Sequence, residues 1–136
     1  IKTSVNPLIP KPHTPLQYMG FDYDDIFEKY KRYSSRLKYR YKKESLRKAT
    51  MQYVLSNGGA EMNKILKIGD QLKFKDWYKL ASKINEVKAK DNGKLPWHEI
   101  DVGITDKYLR REYDKMLNSQ ITPWCEEDKC YGCGAC

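Results

Sequence analysis

All four cysteines of this chain fall within the stretch CEEDKCYGCGAC, residues 125–136, and this clustering constrains the fold more than any other feature. So short a segment, broken by glycine, makes only a marginal helix and buries no core of its own. The spacing is Cys125-x4-Cys130-x2-Cys133-x2-Cys136. Disulfides would close loops of a few residues, which removes little entropy from the unfolded chain. No secretory signal accompanies them, and thiols in a reducing compartment stay reduced. Zinc takes four tetrahedral thiolates, although structural zinc sites usually draw them from two separated segments. A C-x2-C-x2-C run is the ferredoxin-type wrapping of a [4Fe–4S] cluster. That run normally continues to a further Cys-Pro, absent here, so Cys125 would supply the fourth ligand from the other side. Gly132 and Gly134 allow the sharp turns that converging thiolates require. The pattern therefore calls for one metal centre on Cys125, Cys130, Cys133 and Cys136, with an iron–sulfur cluster favoured over zinc.

The rest of the chain is patterned for helices. Tyr23, Ile26, Phe27, Tyr30, Tyr33 and Leu37 recur at helical spacing, behind acidic residues at 22, 24 and 25 that suit a helix start. Further helices are expected over 45–57 (Leu46, Ala49, Thr50, Tyr53, Val54), ended by Gly58-Gly59, and over 60–68 (Met62, Ile65, Leu66). Two more follow over 74–89 (Trp77, Tyr78, Ala81, Ile84, Val87) and 106–117 (Leu109, Tyr113, Met116, Leu117), the last capped by Thr105. Asp91-Asn92-Gly93 signals a turn between them. In front, IKTSVNP reads as one strand that needs a sheet from elsewhere. The prolines at 7, 10, 12 and 15 make residues 6–17 an extended, non-helical arm. Residues 37–42 alternate apolar and basic, the only other strand pattern. The expected class is mainly α: about five helices, a short N-terminal strand with its proline arm, one further strand, and a C-terminal cysteine knuckle. No apolar run approaches the roughly 20 residues of a membrane span, so no membrane association and a cytoplasmic location are expected.

The formal net charge of +8 is unevenly spread. Residues 29–48 hold ten Lys or Arg and a single acid, Glu44. A solvated helix face explains such a run, and so does a phosphate-bearing partner. On the second reading Lys31, Arg32, Arg36, Lys38, Arg40, Lys42 and Lys43 would contact nucleic acid and Tyr39 or Tyr41 would stack on a base. On the first, Tyr39 and Tyr41 face inward from a half-buried strand with a basic outer face. The alternative to an enzyme fragment is thus a basic helical nucleic-acid-binding module with a structural zinc knuckle.

Three stretches together resemble one family. SVNPLIPKPHTPLQ (4–17) is similar to the segment closing the core of cobalamin-binding-type radical SAM proteins. LPWHEIDVGITDKYLRREYDKML (95–117) resembles that family's C-terminal signature, and TPWCEEDKCYGCGAC (122–136) its closing cysteine motif. The resemblance implies a division into the last strand and arm of a radical SAM core (1–17), a helical extension (18–121) and a four-cysteine metal-binding tail (122–136). It implies a parent enzyme in which S-adenosylmethionine yields a radical, methyl transfer being one outcome, with the rest of the core N-terminal to residue 1 as the partner. An RNA or another macromolecule could be the parent's substrate. The chain begins at Ile1 and lacks the CxxxCxxC motif of the radical-generating cluster, so it is expected to be a fragment that is inactive alone and carries an auxiliary cluster. His13 would face the cofactor or substrate at the barrel mouth, or else be a loop residue bonded to backbone. His98 and Asp101, in PWHEID, read as neighbours of a buried Trp97 and a capping Asp more readily than as an acid–base pair.

Overall fold

The computed structural model describes residues 3–36, 41–90, 94–126 and 129–135. Two strands, β1 (Thr3–Val5) and β2 (Tyr41–Lys43), and five helices, α1 (Tyr23–Arg36), α2 (Leu46–Asn57), α3 (Met62–Ile68), α4 (Phe74–Lys90) and α5 (Asp106–Leu117), follow in the order β1, α1, β2, α2 to α5. The mainly helical class read from the periodicity is the class observed. Leu37, Lys38, Tyr39, Arg40, the Asp91–Gly93 turn and Cys136 lie outside the described residues.

The N-terminal strand does not need a foreign sheet. It pairs in parallel with β2, Thr3 opposite Tyr41 and Val5 opposite Lys43. Parallel pairing requires a long crossover, and α1 supplies it. The proline arm is likewise not extended throughout. Pro15–Tyr18 forms a 3-10 turn with proline at its start, where a missing N–H costs nothing.

The core lies between α2 and α4. Ala49, Tyr53 and Val54 of α2 meet Trp77, Ala81 and Ile84 of α4, and Phe21 and Met62 close the ends. Burying side chains such as Val54 and Ile84 contributes about 1.5–3 kcal/mol each. The Phe21 and Tyr53 rings stack with centroids 5.2 Å apart. Asn85 of α4 satisfies the polar groups there. It accepts from Tyr53 Oη at 2.7 Å and from the Phe21 N–H at 3.0 Å, and donates to the Phe21 carbonyl at 3.0 Å. Burial raises the Tyr53 phenol well above its ordinary value. Gly58 ends α2 as expected but with an ordinary φ of −78°. Glycine is needed there because a Cβ would run into the Met62 side chain.

Several side chains expected inside are exposed. Phe27 and Tyr33 of α1 are each 48% exposed, Leu66 of α3 is 66% exposed, and Val87, Met116 and Leu117 are also open. The causes are local. Helix α3 spans seven residues and buries only Met62. Helix α5 buries Leu109 near its start, and its last turn runs beyond that cover. Among the described residues no helix is long and apolar enough to cross a membrane.

Candidate metal centre and adjoining cleft

The cysteine tail folds back onto the start of α5. Thr105, the N-cap residue, accepts the Tyr108 N–H on its side chain, and its own N–H donates to the Cys133 carbonyl at 2.8 Å. The Arg111 guanidinium donates to the Tyr131 carbonyl. Upstream, Thr122 Oγ1 donates to Glu112 at 2.5 Å and accepts from Lys115 Nζ at 2.6 Å. Burial would raise the Glu112 carboxyl, but the bonds from Thr122 and Lys115 outweigh it and hold the group below the usual range. Gly132 and Gly134 have φ of +65° and +96°, the left-handed turns the sequence pattern called for. Gly134 is further required because a Cβ there would lie 2.9 Å from Thr105 Cγ2.

Cys125 and Cys130 are exposed and Cys133 is half-buried, all three as free thiols. The Gly132 N–H donates to Cys130 Sγ at 3.3 Å and the Ala135 N–H to Cys133 Sγ at 3.4 Å. Each bond runs from the amide two residues on, and such bonds tune a cluster where one is bound. The donor set therefore suits a thiophilic metal. The fourth predicted ligand, Cys136, lies outside the described residues, and among those described no three His, Cys, Asp or Glu side chains are gathered as a cage. The backbone turns are in place, whereas the sulfurs of the described cysteines are not drawn together.

Behind this tail lies a knot of side chains that sequence reasoning missed. Gln17, 2% exposed, accepts from Trp97 Nε1 at 2.7 Å and from the His13 N–H at 3.0 Å. Its amide donates to Asp106 Oδ1 at 3.4 Å, and Tyr18 Oη donates to the same oxygen at 2.6 Å. Arg110 pairs with the other Asp106 oxygen at 3.2 Å and lies over the Tyr18 ring. Burial, and then the bond to Asp106, push the Tyr18 phenol up to about 12. The only sequence signal for this knot was the tryptophan, whose indole N–H needs a partner when buried.

The knot walls a cleft of about 200 Å³ whose rim includes His13, His98, Glu99, Asp101 and Asp106. His13 sits at φ 55° with its backbone N–H held by Gln17. Asp101 accepts from the Gly103 N–H at 2.8 Å, so it fixes the loop leading to Thr105. Trp97 is buried as expected, whereas His98 is exposed. Lys31, Arg32 and Arg36 are exposed along α1, and Lys42 and Lys43 are exposed on β2, so the structure separates the basic residues into a helix group and a strand group. Tyr41 is half-buried, and Lys42 and Lys43 are both exposed.

A second missed feature is Lys88. Its ammonium donates to Asn57 Oδ1 at 2.8 Å and to the Met19 carbonyl at 3.1 Å, and lies 4.9 Å from the centre of the Tyr53 ring. Burial lowers it to about 8. In sequence it is one lysine among many.

No family model, curated protein or solved structure matches the chain.

Proposed function

We propose that the chain is the C-terminal portion of a radical SAM iron–sulfur enzyme, in which Cys125, Cys130, Cys133 and Cys136 hold an auxiliary [4Fe–4S] cluster. One observation carries this reading: the three family-like stretches, distant in sequence, meet in space. Gln17 of the first bonds to Trp97 and Asp106 of the second, and Thr105 of the second bonds to Cys133 of the third. A common design for arm, signature and tail explains why they fit one another. Lacking CxxxCxxC, the chain does no radical chemistry alone. With four thiolates available, every ligand position of the cluster can be filled from the protein, which suits electron transfer or ordering of the tail.

The chain's own residues have definable parts. Thr105 and Arg111 hold the CYGCGA backbone, and the amides of Gly132 and Ala135 polarise two sulfurs. Exposed Trp124 and Ile121, 91% and 89% accessible, give the tail an apolar surface suited to the remainder of the parent core. Anaerobic reconstitution followed by iron and sulfide analysis tests the assignment. About four iron and four sulfide per chain are expected, and one zinc without sulfide would reject it.

A further inference from the structure

The strand pairing creates a feature the cysteine tail does not use. Because β2 lies beside β1 and leads straight into α2, Lys42 and Lys43 are brought next to Lys48, and all three are exposed. Together with Ser4, Asn6 and Ser45 they line a groove of about 620 Å³. Glu44 also lines it, half-buried, yet none of the three lysines makes an ion pair among the described residues. By contrast, Lys29 and Lys31 of α1 are paired with Asp25 and Glu28. The groove is therefore a concentrated positive site with polar side chains between its charges.

Asn6 also borders a second concavity of about 500 Å³ on the α1 side, with Val5, Leu8, Tyr30 and Tyr33 among its walls. Tyr30 Oη donates to the Val5 carbonyl at 3.1 Å and is fixed by it. Tyr33 is half open, and Arg32 lies over its ring at 5.6 Å. A charged groove thus adjoins an aromatic hollow across a single strand. The combination matches a chain of phosphates that carries unpaired bases: lysines for the phosphates and an accessible tyrosine face for a base. Ser4, Asn6 and Ser45 add hydrogen-bonding groups to the same groove, and a 2′-hydroxyl both donates and accepts.

We propose that the β1–β2–α2 groove binds single-stranded RNA, with phosphates against Lys42, Lys43 and Lys48 and a base against Tyr33. The proposal is independent of the metal at the tail, which lies on other elements. Of the basic residues singled out in the sequence, it assigns contact to Lys42 and Lys43 and adds Lys48.

The test is fluorescence anisotropy of the full chain with a labelled twelve-nucleotide oligouridylate across a salt series. Three phosphate contacts on a single strand predict a log–log salt slope of about −2. Triple substitution Lys42→Gln, Lys43→Gln, Lys48→Gln should weaken binding at least about tenfold and flatten that slope. Tyr33→Ala should weaken binding by about fivefold or more with the slope unchanged. Triple substitution Lys64→Gln, Lys67→Gln, Lys75→Gln, at exposed lysines outside the groove, should lower affinity by less than about twofold. All these positions are exposed, and circular dichroism of each variant confirms the fold. A flat salt response, equal losses from the two triple variants, or equal affinity for the matching deoxyoligonucleotide, duplex DNA or anionic vesicles would each overturn the proposal.

Discussion

The knot around Gln17 and the cysteine tail both attach at the start of α5, at Asp106 and Thr105, and they are held in opposite ways. The knot is made of buried side chains: Trp97, Gln17 and Asp106 satisfy one another, and no buried side-chain polar atom among the described residues lacks a partner. The tail is held mainly through its backbone, by Thr105 and Arg111, while Cys125 and Cys130 are exposed, Cys133 is half-buried and Trp124 stands almost fully in solvent. One region is complete as protein. The other has its turns set at Gly132 and Gly134 while its described cysteines carry free thiols.

The contrast can be broken most severely at Trp97. Trp97→Ala removes a buried indole and leaves the Gln17 carbonyl with only the His13 N–H, so a loss of about 3–5 kcal/mol in chemical unfolding is expected. Cys133→Ser, by comparison, should leave unfolding of the metal-free chain within about 0.5 kcal/mol of wild type while abolishing cluster loading. Equal destabilisation by both would erase the distinction. Asn85→Ala comes next. It leaves the buried Tyr53 hydroxyl unsatisfied, which costs about 1–3 kcal/mol in the same assay.

Lys88 gives a pH signature of the completed core. Its folded value, about 8, lies below the unfolded 10.5, so the folded state binds fewer protons between them and stability rises with pH across that window. Tyr53, Tyr30 and Tyr18, raised first by burial, act oppositely above their ordinary 10. Stability should therefore climb from about pH 8 toward 10 and then level or fall. Because Lys88 is partly solvated, the gain is on the order of 1 kcal/mol, and Lys88→Met should remove it. The most local effect belongs to Gly134→Ala. Strain at φ +96° and contact with Thr105 should cost about 1–3 kcal/mol locally. It should speed proteolysis of the tail without shifting the global unfolding midpoint.

Helices were legible because their signal is local. The stretches expected over 45–57 and 106–117 became Leu46–Asn57 and Asp106–Leu117, and Thr105 caps the latter as its hydroxyl foretold. What sequence hid was non-local. Nothing within IKTSVNP names a parallel partner nearly forty residues away, so β1 seemed to lack one. Prolines at 12 and 15 argued for extension, yet a proline equally starts the 3-10 turn that delivers Gln17 to Trp97. A lone glutamine and one lysine among many carry no mark of burial. At the tail, spacing foretold the turns at Gly132 and Gly134, since glycine's freedom is written in the residue itself. The approach of the sulfurs is not, because it depends on how separate side chains meet rather than on any one residue.

Amide hydrogen exchange at Gly132 and Ala135, measured anaerobically before and after addition of iron and sulfide, tests the central claim most directly. Their N–H groups point at Cys130 and Cys133, so a cluster on those sulfurs should slow both amides at least about tenfold while the amides of α2 and α4 stay unchanged. Cys136→Ser should abolish the slowing if the last residue is a ligand. Unchanged exchange at both amides, or full protection already present in the metal-free chain, would contradict a tail ordered by its metal.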